Sequence, residues 1–244
     1  MIKKLYTIGD SWTYGDELVN PKEDSWPSVL SKELGCELVN DAECGGSNDW
    51  MFRKTIEWVC SQDTLDDVSV IVGWSEPNRR EENYEFYNGS RLLDDNKTEK
   101  LIFGELHNGE LAHYKSICYM VTLQEFLKSK NIKYLFFNVW YDLMGCEDGL
   151  LDRRERNKGF KWLKQKKLDS YAQDGNGFHP GCYSEDLNIG NIIQQIDKKH
   201  CIGPFISGYE KEYSVDDIVP NHPNKDEHRT MTKFIKEKLM ELYI

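Results

Sequence analysis

Three stretches of this chain hold side chains that do chemistry together only if folding brings them to one place. Gly9-Asp10-Ser11 stands near the amino end, Asn40-Asp41-Ala42-Glu43-Cys44-Gly45-Gly46-Ser47-Asn48 follows, and His222-Pro223-Asn224 stands near the carboxyl end. A serine hydroxyl is a poor nucleophile at neutral pH and needs a base to remove its proton. Neutral histidine is the usual base. Attack on a carbonyl creates an oxyanion, which needs fixed hydrogen-bond donors in a water-poor site. The backbone N–H groups of Ser11 and of Gly45 or Gly46 suit that task, because a glycine lets the backbone approach a substrate closely. The chemistry implied is acyl-ester cleavage: Ser11 attacks, His222 takes the proton and passes it to the leaving alkoxide, and water releases the acyl group.

A fourth stretch, Gly73-Trp74-Ser75-Glu76-Pro77-Asn78-Arg79, adds polar groups. Ser75 can donate through its hydroxyl and Asn78 through its amide, with Asn48 as another amide source. The acid that orients His222 is assigned to Asp217. Asp216 or a backbone carbonyl are the alternatives, the last leaving a Ser–His dyad. Asp10 reads as a brace for the turn, and His228, in the first turn of a helix, as structural. His179, also before a proline, is a rival base that no convincing amphipathic helix follows. Arg79 and Arg80 read as a solvated charged segment, with ion-pair or substrate roles open.

These residues must be positioned by regular elements. Ile2 to Ile8 reads as a strand ending at Gly9, and residues 25–34 as a helix with Trp26, Val29, Leu30 and Leu34 on one face. Ser25 or Asp24 would cap that helix, Pro27 suits its first turn, and Gly35 ends it. Cys36 to Asn40 reads as a second strand and 49–60 as a helix. Val68 to Trp74 is continuously apolar, as expected of a strand covered on both faces. A helical face runs over 111–130, an apolar strand over 132–140 and a helix over 225–243, the last begun by an Asn224/Glu227 capping box. Alternating strands and helices predict a doubly wound parallel sheet, whose ligands sit at the carboxyl ends of the strands. All four polar stretches lie at such ends or beside the last helix. Residues 141–215 are glycine-rich and aperiodic, and read as one irregular insertion in a single domain spanning 1–244.

Together these stretches resemble the SGNH (GDSL-like) hydrolase family. Its nucleophile motif matches Gly9, Asp10 and Ser11; its glycine station matches Gly45 within 40–48; its His-Pro pair matches His222 and Pro223. The resemblance covers the chain outside 141–215. It implies a three-layer α/β/α sandwich, flavodoxin-like, with a central parallel sheet of about five strands, and a serine esterase acting on a small-molecule or glycan ester such as an O-acetyl carbohydrate. The chain departs from the family pattern at two points. Ser75 stands where an Asn is usual, and Val219 and Pro220 occupy the positions that usually hold the acid. With the Trp-Pro start of the 25–34 helix, these departures resemble divergent members seen in phage genomes. That resemblance keeps a second reading in view: a non-catalytic binding or assembly module, virion-associated, or a homo-oligomer.

Composition excludes other classes. The 244 residues carry a net charge of -11, which opposes non-specific nucleic-acid binding. No run approaches the roughly 18 apolar residues of a membrane span, and the first residues do not read as a signal peptide. Seven cysteines without a Cys-x-x-Cys pair read as reduced thiols, so the expected location is cytoplasmic. No metal-ligand spacing, GxxxxGK loop or GxGxxG fingerprint occurs, so no metal, nucleotide or flavin is expected.

Overall fold

The computed structural model describes residues 2–77, 79–82, 85–88, 109–138, 151–152, 192–202, 206–207 and 222–243. Strand β1 (Lys4–Gly9) leads into a one-turn helix α1 (Ser11–Tyr14), then α2 (Pro21–Asp24), α3 (Trp26–Leu34), β2 (Glu37–Asn40), α4 (Asn48–Ser61) and β3 (Val68–Trp74). A hairpin follows, β4 (Arg79–Glu82) paired antiparallel with β5 (Glu85–Asn88). Next come α5 (Gly109–Ser129), β6 (Lys133–Asn138), β7 (Leu151–Asp152), β8 (Cys201–Ile202), β9 (Ile206–Ser207) and α6 (Lys225–Glu241). The central sheet has five parallel strands in the order β2-β1-β3-β6-β8.

Alternation along the strands builds two cores. Tyr6, Val70, Val72 and Phe136 face the layer of α4 and α5, where they meet Met51, Val59, Ile117 and Met120. Leu5, Ile71, Leu135 and Phe137 face the layer of α3 and α6, where they meet Trp26, Leu30, Met231 and Ile235. Because β3 is buried along its whole length, its sequence is apolar apart from Ser69, whose hydroxyl pairs with that of Tyr243. The result is the expected three-layer α/β/α sandwich. No described helix is long and apolar enough to cross a membrane.

The fifth strand differs from the sequence reading, which placed residues 201 and 202 inside the irregular stretch 141–215. β8 adds to the sheet edge by pairing Phe136 with Cys201 and Phe137 with Ile202. Gln124 on α5 anchors the approach to it, donating to Gln195 O at 2.9 Å and accepting from Asp197 N–H at 2.7 Å. A two-residue strand is too short to show any period, so no local pattern marked it. Apart from 151–152, 192–202 and 206–207, the proposed insertion lies outside the described residues.

Helix α3 also begins differently. Ser25 occupies the N-cap position, but its side chain caps nothing. The first turn's otherwise unpaired donor, Trp26 N–H, instead donates to Nδ1 of His228 at 3.1 Å. Thr232, one turn further along α6, donates to His228 O at 2.9 Å and Trp26 O at 3.3 Å. The two helices of this layer are thus joined end to end by a fully buried polar contact. Asn224 and Glu227 form the expected capping box at the start of α6.

Burial, aided by the neighbouring His222 and slightly opposed by Asp24, pushes the His228 pKa down from 6.5 to about 4. The folded state therefore holds this ring neutral, while the unfolded chain takes a proton near 6.5. The contribution is present above pH 6.5 and is lost as pH falls toward 4, up to about 3 kcal/mol. Urea unfolding at pH 7 and pH 4.5 should show this loss in the wild type. His228→Gln, which keeps an acceptor but does not titrate, should lose markedly less between the same two pH values.

Candidate active site

The carboxyl ends of β1 and β3 are made of glycine: Gly9 pairs with Gly73 across the ladder. A Cβ on Gly73 would lie 2.7 Å from Thr13 Oγ1 and 2.6 Å from the Phe137 ring. Only bare backbone at this place lets α1 seat on the sheet edge. Asp10 is the N-cap of α1 and accepts from Trp12 N–H at 3.1 Å. Ser11 takes the first helical position. Its carbonyl accepts from Gly15 N–H at 2.9 Å and Asp16 N–H at 3.0 Å, which closes the turn as Gly15 adopts φ +88°.

Asp10 is fully buried and its second oxygen holds two further donors, Ser75 Oγ at 2.7 Å and Arg79 Nη1 at 2.9 Å. The Arg79 side chain is itself only 10% exposed, so the pair is a buried ion pair. Ser75 is locked from its other side as well. Its N–H donates to Asn48 Oδ1 at 2.8 Å, and its carbonyl accepts from Asn48 Nδ2 at 3.0 Å. Asn48 completes its bonds on Ser116 Oγ at 3.1 Å. Ser75 and Asn48, read from the sequence as donors to an oxyanion, therefore direct their donors into the protein. A hydroxyl has one proton, and that of Ser75 goes to Asp10.

The loop after β2 extends the ladder past the strand. Asp41 N–H donates to Thr7 O at 2.9 Å and Glu43 N–H to Gly9 O at 3.1 Å. Gly46 N–H closes the turn on Glu43 O at 3.0 Å, with Gly45 in the left-handed region at φ +81°. Among the described residues, the N–H groups of Ser11 and Gly45 have no acceptor, and neither does Ser11 Oγ. Ser11 as a whole is 5% exposed.

His222 reaches this edge from the far end of the chain. Its side chain is 13% exposed, with Nε2 3.7 Å from Asp16 Oδ2 and Nδ1 3.1 Å from Glu17 Oε1. The Nδ1 contact is an ion-pair approach without hydrogen-bond alignment. The ring thus sits against the turn that Ser11 O holds, and no hydrogen bond joins it to Ser11 Oγ among the described residues. Cys44 belongs to the same rim. Burial, then the charge of Asp16, pushes its thiol up to about 11, so it stays protonated and is no rival nucleophile at neutral pH. Asp217, Asp216, Asn78 and His179 lie outside the described residues. Sequence reasoning missed Asp16 and Glu17 as neighbours of the imidazole, since nothing local links them to position 222. It left Arg79 as an open choice that the ion pair with Asp10 now resolves. Among the described residues no group of His, Cys, Asp and Glu could hold a metal ion.

Comparison with known proteins agrees with this architecture. A family of unknown function (DUF6071) matches residues 16–94, less than half of the chain. No curated protein matches. Among solved structures, LAE5, an alpha/beta hydrolase enzyme from the metagenome of Lake Arreo, Spain, is 14% identical at TM-score 0.50, covering 98% of this chain and 96% of that one. A carbohydrate esterase family 2 enzyme with its carbohydrate-binding domain, from Corynascus thermopiles (Myceliophthora fergusii), is 12% identical at TM-score 0.50, covering 99% and 66%. A member of the lipolytic protein G-D-S-L family from Veillonella parvula DSM 2008 is 13% identical at TM-score 0.45, covering 98% and 97%. At these identities the likeness is one of fold: the first two structures share the three-layer architecture built on a parallel sheet.

The buried ion pair gives a direct expectation. Arg79→Met leaves Asp10 inside the protein without its counter-charge, and breaking a buried pair from one side costs about 3–5 kcal/mol. Urea unfolding should show a loss near the lower end, because Ser75 and Trp12 still donate to the carboxylate. Arg79→Lys should recover only part of it, lacking the planar fork. An Arg79→Met protein as stable as the wild type would mean that the two neutral donors suffice.

Proposed function

We propose that the protein is a serine hydrolase that cleaves an acyl ester. One observation carries the reading: at the carboxyl edge of β1, Ser11 presents a hydroxyl and an N–H without partners among the described residues, on a turn that also touches His222, in a fold like that of a carbohydrate esterase. In the reaction, Ser11 Oγ bonds to the carbonyl carbon as its proton passes to His222 Nε2. The oxyanion is held by the N–H groups of Ser11 and Gly45. Collapse breaks the C–O bond to the leaving group, and the alkoxide takes the proton from His222. Water then adds to the acyl-enzyme with the same base and restores Ser11. The first step requires the imidazole to turn from Asp16 toward Ser11, as catalytic contacts often tighten only with substrate bound.

The rim limits the substrate. Asp16, Glu17 and Glu43 surround the turn, while Arg79 is buried against Asp10. An anionic substrate would meet repulsion, so a neutral ester fits better, and an O-acyl group on a neutral carbohydrate is the class we favour. The likeness to a carbohydrate esterase supports that choice. Asn78 keeps its proposed role as a substrate contact, and Asp217 is one candidate for the acid that orients His222. A second reading, a binding or assembly module on a hydrolase scaffold, draws on the small exposure of Ser11 and the missing Ser11–His222 hydrogen bond.

The two readings separate in one experiment. The wild type should be labelled by a serine-directed fluorophosphonate and should hydrolyse p-nitrophenyl acetate or an acetylated sugar. Ser11→Ala should lose the label and roughly 10^3-fold or more of kcat/KM, and His222→Ala should lose turnover as well. Wild-type protein that neither labels nor turns over any of these esters favours the binding module.

A further inference from the structure

We propose that Glu17, in the turn directly after the nucleophile helix, is the positioning residue that fixes the tautomer of His222; this rests on the serine-hydrolase reading above. A triad base needs two different partners: its Nε2 must be free to accept the serine proton, and its Nδ1 must keep a proton, held by an acceptor. Glu17 Oε1 lies 3.1 Å from Nδ1, near enough to accept its proton once carboxylate and ring align, although the two are not aligned for a hydrogen bond in the resting site. Asp16 cannot take that part. It lies 3.7 Å from Nε2, the nitrogen that must face Ser11.

The backbone is arranged for the same contact. Glu17 has φ +66°, in the left-handed region that residues with a side chain rarely adopt. Such strain persists where surrounding structure enforces it. Here it follows a turn closed by two hydrogen bonds to Ser11 O. The nucleophile and the group orienting its base are therefore six residues apart on one turn. His222 is held from its own side by buried Pro223 and by the Asn224 capping box of α6. The arrangement answers the departure noted in the sequence, where Val219 and Pro220 stand at the positions expected to hold the acid.

The variants are chosen so that folding does not confuse the result. Glu17→Gly removes the carboxylate and suits the left-handed backbone, so its Tm should equal or exceed that of the wild type. Glu17→Asp keeps a carboxylate in a residue that tolerates this region. Asp217→Asn tests the rival acid. Long-range 1H–15N correlation spectra of 15N-histidine-labelled protein, with His222 assigned through His222→Gln, read the tautomer directly. The neutral ring in the wild type should carry its proton on Nδ1, and Glu17→Gly should abolish that preference. Its kcat on the ester should fall about 10- to 100-fold with KM within about twofold, less than the roughly 10^4-fold loss known for a fully buried acid, because the Glu17 side chain is 54% exposed. Glu17→Asp should recover part of both. If the wild type hydrolyses esters but Glu17→Gly changes neither tautomer nor kcat, or only Asp217→Asn does, the assignment is overturned while the hydrolase reading stands. If Glu17→Gly shifts the tautomer but even the wild type turns over no ester, Glu17 keeps its role at the ring and the hydrolase reading fails.

Discussion

A carboxylate with no access to water must be surrounded by donors or it destabilises the fold. Among the described residues Asp10 meets that condition with donors from three elements: Trp12 N–H from α1, Ser75 Oγ from the end of β3, and Arg79 from the first strand of the hairpin. Satisfying one charge therefore sets the relative positions of the Ser11 turn, the central strand and the hairpin. Ser75 is in turn fixed by Asn48 at the start of α4, so the constraint reaches the other helical layer through Ser116 on α5. The carboxyl edge of the sheet is rigid because its polar groups hold one another.

This rigidity redistributes roles. In the resemblance to SGNH hydrolases, the third station supplies an oxyanion donor. Here Ser75 and Asn48 are turned inward as braces, and the donors left free are two backbone N–H groups, on Ser11 and Gly45. Backbone donors need no side-chain ordering, so an oxyanion site built from them costs little conformational entropy at the moment of reaction.

His222 is held in place by helix packing. α6 lies along α3 and is tied to it by His228 to Trp26 N–H, by Lys236 to Glu33 at 2.8 Å, and by Lys225 to Asp24 at 2.8 Å. The last two are surface pairs of small individual worth. The first is buried, joins residues 202 positions apart, and sits one helical turn from the capping box that follows His222 and Pro223. The same contact that closes the α3–α6 layer thus brings His222 to the turn after Ser11.

Local physics made much of this legible in the chain itself. Short, mainly apolar runs mark β1, β3 and β6, a 3.6-residue period marks α3 and α6, and the Asn224/Glu227 spacing marks a helix start, because each depends on residues a few positions apart. The Gly-Asp-Ser turn and the His-Pro pair could be read as one site for the same reason: each ends or precedes an element whose direction the alternation of strands and helices sets. Pairings across the fold left no such mark. Nothing near Arg79 shows that Asp10, 69 residues earlier, will take its charge. Nothing near His222 points to Glu17, and two residues are too few for β8 to declare itself. Short-range order is written in spacing and periodicity, whereas the partner of a buried charge or of a ring nitrogen is settled only when packing excludes water and leaves a single group within reach.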